Sequence, residues 1–231
     1  MGPQPPPAVA RHLKVSEVVA RQIVRDIAEQ ELSPSQLLDN ESAMLEKYEV
    51  SRGSLREALR ILESQGVITI KPGQGGGSVV APRDPQFLGR MLALHFEVHA
   101  ITYAELAAAI ELLEPLMAAE AARRFTDIAE HRAEPHEGTD FHEWVYRLGG
   151  NGALTLLVGA ISSIMDQHLR VNLDLDELAQ GTRQAHDAIR GAIFDGDVEG
   201  ARRAMAEHTG HTMTLVRQTH AELLGSIVRW L

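Results

Sequence analysis

Cysteine is absent from all 231 residues, which excludes disulfide scaffolding and thiolate chemistry together and suits a reducing interior. Long apolar runs are absent too. No window approaches the roughly 18 consecutive apolar residues of a membrane span. The opening stretch MGPQPPPAVA lacks the basic-then-apolar order of a secretory signal and reads as a proline-rich arm. The expectation is a soluble, cytoplasmic protein with no membrane partner.

Positive charge is scarce overall, the formal net charge being -10, which on its face argues against a nucleic-acid partner. Distribution matters more than the sum. From Arg11 to Arg90 acidic and basic residues nearly balance, and residues 51–71 are locally basic; the acidic excess lies downstream. A near-neutral segment with a basic strip can still meet a phosphate backbone. The apolar fraction of 44% supports a core in each of two small domains.

Residues 11–82 read as the first domain. Val15, Val18, Val19, Ile23, Val24 and Ile27 recur at helical spacing, giving a helix over roughly 14–30. Pro34 breaks it, and Asp39 or Asn40 caps a second helix to about Tyr48. A turn at Glu49-Val50 leads to Ser51, the cap of a third helix ending at Gly66, with Leu55, Ala58, Leu59 and Leu62 on its inner face. VITI and SVVA then form two strands around the glycine-rich turn KPGQGGG. Three helices and a hairpin in this order make a winged helix-turn-helix. Its third helix, small and basic in its first turns, suits the major groove. By spacing alone, Arg52 and Arg56 also suit a plain solvated face, or pairing with Glu57 or Glu63.

The stretch YEVSRGSLREALRILESQGVITIKPGQGGGSVV resembles the DNA-binding domain of the GntR family. The resemblance implies double-stranded DNA as partner. It places Ser51, Arg52, Ser54 and Arg56 on the recognition helix, and Lys71, Gly73 and Gln74 at the wing. It departs at Ser42, where the family commonly carries an arginine that touches DNA.

Beyond residue 85 strand signals vanish, and helices are expected over roughly 85–99, 102–124, 140–148, 153–171, 174–195 and 197–228, the last one or two helices. This second domain, residues 85–231, is an all-α bundle, so the fold is mainly α: a winged helix-turn-helix followed by a helical bundle. His186 and His208 lie 22 residues apart around a Gly196-Asp197 turn. Antiparallel helices bring them level, a sound geometry for two imidazole ligands.

ELLEP, DFHEW, GGN and HDAIRGAIFDGD make this half similar to the FCD domain of the FadR subgroup. In its metal-binding members one Asp and three His hold a divalent ion that helps bind an organic acid, and His142, His186 and His208 match the histidines. Zinc or nickel is the implied metal; hydrogen-bonded pocket histidines are the other reading. Glu114, Asn151 and Arg170 are the implied effector contacts. Three departures stand out. Gly138 occupies the position of the ligand Asp, leaving Glu134 or Glu137 as substitutes. Ile110 replaces an arginine that grips carboxylates, which opens the choice between a small organic acid and a bulkier acyl-type ligand. The stretch between Arg124 and Phe141 is short. The resemblance implies a homodimeric transcription regulator, a repressor in its ligand-free state. A metal-dependent hydrolase built on the histidines is the alternative; no general base stands at suitable spacing for it.

Overall fold

The computed structural model describes residues 14–73, 76–125, 140–169 and 175–230. The chain divides into two compact units, Met1–Arg83 and Asp84–Leu231.

In the first unit, α1 spans Val15–Glu29, α2 Glu41–Tyr48 and α3 Arg52–Ser64, followed by strands β1 (Ile68–Lys71) and β2 (Gly77–Val80). Helix α1 buries Val19, Ala20 and Ile23 but leaves Val15, Val18 and Val24 exposed, so only part of its apolar spacing serves the core. That core closes on Met44 of α2 and on Leu55, Ala58, Leu59 and Leu62 of α3. Asn40 caps α2 by accepting from Ala43 N at 3.0 Å. Asp26 on α1 ties α2 down: it accepts from Tyr48 Oη at 2.5 Å and pairs with Lys47 at 2.8 Å.

The hairpin is antiparallel, Ile68 opposite Val80 and Lys71 opposite Gly77. It gains a third extended edge absent from the two-strand expectation. Ser35 N donates to Val80 O at 2.8 Å and Leu38 N to Ser78 O at 2.9 Å, with Leu37 bridged to Val79. The segment after Pro34 is too short and polar to announce a strand. It extends because β2 offers an unpaired edge whose backbone groups need partners.

The second unit holds α4 (Pro85–Val98), α5 (Tyr103–Phe125), α6 (Phe141–Leu148), α7 (Gly152–Leu169), α8 (Leu175–Phe194), α9 (Val198–Thr219) and the short α10 (Ala221–Gly225). Helix α5 starts with a reciprocal cap. Glu105 N donates to Thr102 Oγ1 at 3.3 Å, and Thr102 N to Glu105 Oε2 at 2.8 Å. It serves two cores. Tyr103, Leu106 and Ile110 pack with α4, α7 and α9, while Met117, Ala118 and Ala121 pack with α6, α8 and α9. The small side chains of Ala118, Ala121 and Ala122 let neighbouring helices come close. Gly89 of α4 does the same against α7, since a Cβ there would lie 2.5 Å from Ser163 Oγ and 2.9 Å from Ala160 O. After α10 the chain folds back, Val228 N donating to Ile101 O at 2.9 Å and Arg229 pairing with Glu97 at 2.9 Å. No helix of the described residues is long and apolar enough to cross a membrane.

Candidate functional site

The sequence points to two sites, one in each unit. In the first, the left-handed Glu49, φ 52°, turns the chain from α2 into α3. Ser51 Oγ caps α3 by accepting from Ser54 N at 3.2 Å and lies 3.1 Å from Ser54 Oγ. Because α3 spends Leu55, Ala58, Leu59 and Leu62 on the core, Arg52, Arg56 and Arg60 project to solvent. Arg56 Nε lies 3.4 Å from Glu41 Oε1, both side chains largely exposed. Its partner is therefore Glu41 on α2, not Glu57 or Glu63; Glu63 instead accepts from Ile70 N at 3.3 Å and ties α3 to the hairpin. Lys71 is exposed at the end of β1, and Gly73 holds a φ of 102° that favours glycine. Ser42, where the resemblance leads one to expect an arginine, is exposed. Gln74 lies outside the described residues.

In the second unit the three histidines meet. The tight turn at Gly196, φ 67°, with Asp197 capping α9 through Gly200 N at 2.8 Å, sets α8 and α9 antiparallel. His186 Nε2 then lies 3.2 Å from His208 Nε2, as the spacing requires. His142, carried by α6, brings its Nε2 to 3.4 Å from His208 Nε2. The three ligand atoms lie within 4.8 Å of one another. Asp140 does not join them: it caps α6, Oδ1 accepting from His142 N at 2.9 Å and Glu143 N at 3.3 Å.

Behind His142 stands Glu114, buried at 3% exposure. Its Oε1 lies 3.1 Å from His142 Nδ1, an ion-pair contact at an angle outside good hydrogen-bond geometry. The same oxygen accepts from the Tyr146 hydroxyl. Tyr146 Oη in turn lies 3.1 Å from Ser162 Oγ on α7. Phe141 stacks on the His186 ring, centroids 3.8 Å apart. Sequence reading passed over Tyr146 and Phe141. The available signal was position: Tyr146 is one helical turn after His142 and so shares its face.

Charge follows from this packing. Burial disfavours imidazolium at His142, but the ionised Glu114 carboxylate beside it prevails and raises the ring to about 9. Burial works against the Glu114 carboxylate as well, yet the His142 charge keeps it below the ordinary value. Burial and the positive His142 together push His186 down to about 3 and His208 to about 4, so both are neutral bases at pH 7.

The donor set suits a divalent ion. Tetrahedral zinc with Zn–N near 2.05 Å has nitrogen–nitrogen edges of about 3.3 Å, against 3.2 and 3.4 Å here. Two rings are held neutral, and the third has a carboxylate on its far nitrogen, the usual outer-shell partner of a ligating histidine. Glu134, Glu137 and Gly138 lie outside the described residues.

Of the expected effector contacts, Glu114 and Asn151 stand in different surroundings. Glu114 is buried, with His142 and Tyr146 as its partners; that burial is not legible from ELLEP. Asn151 caps α7, Oδ1 accepting from Ala153 N and Leu154 N, each at 3.2 Å. It lines a cleft of about 590 Å³ with Arg123, Arg124 and Leu154 that shares no residue with the histidine centre. Arg170 lies outside the described residues. Ile110 is 4% exposed, fully absorbed by the core.

Comparison with known proteins agrees with this division. Residues 15–77 match the family of bacterial regulatory proteins described as gntR, and residues 136–211 match the FCD domain. The chain is 29% identical over 182 residues to an uncharacterized HTH-type transcriptional regulator in an unstable DNA locus of Streptomyces ambofaciens, covering 77% of this chain and 75% of that protein. It is 25% identical over 237 aligned positions to the HTH-type transcriptional repressor NanR of Escherichia coli, covering 87% of each. Among solved structures, a GntR protein of Streptococcus agalactiae shares the fold, with a TM-score of 0.61 and 22% identity over 86% of this chain and 99% of that one.

Proposed function

The chain belongs to the GntR family of bacterial regulatory proteins and carries an FCD domain, which makes it a DNA-binding transcription regulator and not an enzyme; from that premise we propose that it is a repressor released from its operator by a small acid bound at a metal centre of His142, His186 and His208. The observation that carries this reading is the convergence of three imidazole nitrogens from three helices, with separations of 3.2 and 3.4 Å along two edges.

On the DNA side, α3 enters the major groove. Arg52 and Arg56 are exposed and able to reach phosphate or guanine, Arg56 by exchanging its Glu41 contact, and Ser51 and Ser54 keep hydroxyls at the start of the helix. Lys71, Gly73 and Gln74 at the wing approach the neighbouring groove or its phosphates. The name of the Escherichia coli relative supports repression as the sign of control.

In the second unit, His142, His186 and His208 would hold zinc or nickel. Such an ion, when bound, supplies an electrophilic position for a carboxylate oxygen of the effector. The protein's own part is to keep His186 and His208 unprotonated and to hold His142 against Glu114. The buried Ile110 leaves no guanidinium at that position to grip a second carboxylate, which favours an acid with an apolar body or an acyl-type metabolite. Exposed leucines one turn apart on α5, Leu112 at 70% and Leu116 at 57%, support a homodimer that places two recognition helices on paired half-sites; the family match suits a cytoplasmic protein. Ligand binding then works by favouring one arrangement of the two DNA heads over another.

Fluorescence anisotropy with labelled upstream DNA tests this. Candidate acids and acyl thioesters are added to zinc-loaded, chelator-treated and His186→Ala protein. Release that needs both the acid and the metal supports the reading. Release unaffected by chelation and by His186→Ala overturns it.

A further inference from the structure

The three histidines are unequal in their surroundings. His186 and His208 make no hydrogen bond or ion pair with a carboxylate among the described residues. His142 has Glu114 Oε1 at 3.1 Å from Nδ1 on one side and His208 Nε2 at 3.4 Å from Nε2 on the other. A neutral imidazole carries one proton, so Nε2 can offer its lone pair to an ion only when that proton sits on Nδ1. Among the described residues Glu114 is the ion-pair partner of that nitrogen, and its burial rules out direct contact with a ligand in solvent. It is itself fixed from two helices: Tyr146 on α6 donates to it, and Tyr146 is steadied by Ser162 on α7.

We propose that Glu114, seated by Tyr146, is a positioning residue for the centre: it holds the His142 proton on Nδ1, turns Nε2 inward, and so makes His142 the anchoring ligand. This rests on the metal reading above. A buried carboxylate at the back of one ligand raises that ligand's basicity and fixes its ring angle before any ion arrives. His186, packed against Phe141, and His208 then complete the face.

The test uses the full chain and zinc alone. Zinc affinity is read by competition with a chromogenic chelator. The protonated nitrogen of His142 is read by long-range proton–nitrogen NMR of the zinc-loaded protein. In the wild type, His142 is expected to be protonated on Nδ1 and to bind through Nε2. Glu114→Gln keeps the side-chain shape but offers an amide N–H to Nδ1, and zinc affinity should fall about 10- to 100-fold with the helical circular dichroism unchanged. Equal zinc affinity in Glu114→Gln overturns the proposal. So does a wild-type His142 bound through Nδ1, a result that needs no variant to fold. A wild type that takes up no zinc removes the metal reading itself, and is seen before either comparison is made.

Discussion

His186 on α8 and His208 on α9 bring their Nε2 atoms to 3.2 Å across one helix pair. Two lone pairs at that distance repel unless a proton or a cation lies between them. Zinc in the metal-free protein should therefore stabilise the second unit, by RT ln(1 + [L]/Kd), or about 2.7 kcal/mol at a hundredfold excess over Kd. For a chain of this size that raises the midpoint by about 5–10 °C. Differential scanning calorimetry with and without chelator reads it. Identical melts, or a shift retained in His208→Ala, would count against the site.

The same rings give the metal-free protein a pH signature. His186 and His208 fall to about 3 and about 4 in the folded state, below the ordinary 6.5, so the unfolded chain takes up protons first. Their contribution is full above pH 6.5 and is lost as pH falls toward 4. His142, raised to about 9, acts in the opposite sense: its contribution is full below 6.5 and fades as pH rises through 9. Urea midpoints of the chelated protein should drop from pH 6.5 to 4.5, and His186→Gln should flatten that slope. A midpoint that rises on acidification would contradict the assignment.

Arg52 and Arg56 are exposed on α3 while its other face is core. Arg52→Ala or Arg56→Ala should cost about 1–3 kcal/mol of operator binding where a base is read. Where a phosphate is met, the slope of log affinity against log salt should shrink by about one. Thermal stability should stay within about 0.5 kcal/mol. Anisotropy titrations at several salt concentrations separate the two contacts, and unchanged binding in both variants would remove α3 from the DNA.

Ser51 has two tasks, since its oxygen caps α3 through Ser54 N at 3.2 Å. Ser51→Ala should lower the stability of the first unit by about 1 kcal/mol and weaken DNA binding. Ser51→Asp restores the cap but sets a negative charge where phosphate approaches. It should recover stability in urea melts without recovering operator affinity. Recovery of both would reduce Ser51 to a structural role.

Gly150 stands at φ 65°, and a Cβ there would lie 2.3 Å from Arg124 Cζ. Gly150→Ala should destabilise the second unit by about 1–2 kcal/mol through the left-handed backbone alone. Urea unfolding of that unit measures it, and a neutral substitution would show that the turn relaxes freely.

Several of these features were legible before any coordinates. Helix periods, the Ser51 and Asn40 caps and the Gly66 and Gly196 stops are local signals, because capping and left-handed turns involve residues a few positions apart. The facing of His186 and His208 was legible for the same reason, a short turn fixing the register of two helices. The third edge at residues 35–38 was not, because its partner is a strand some forty residues away and its own side chains carry no alternation. The Arg56–Glu41 pairing was missed for a similar reason: it crosses between helices.

Sequence by itself determined the helices, their caps and the facing of His186 and His208, since each follows from spacing along one helix or across one turn; His142 joined them only through the resemblance to the FCD domain. Tertiary structure alone decided where Glu114 stands. Burial and the approach of α6 to α5 are sums over distant packing contacts, and they set a carboxylate expected to meet an effector 3.1 Å from His142 Nδ1.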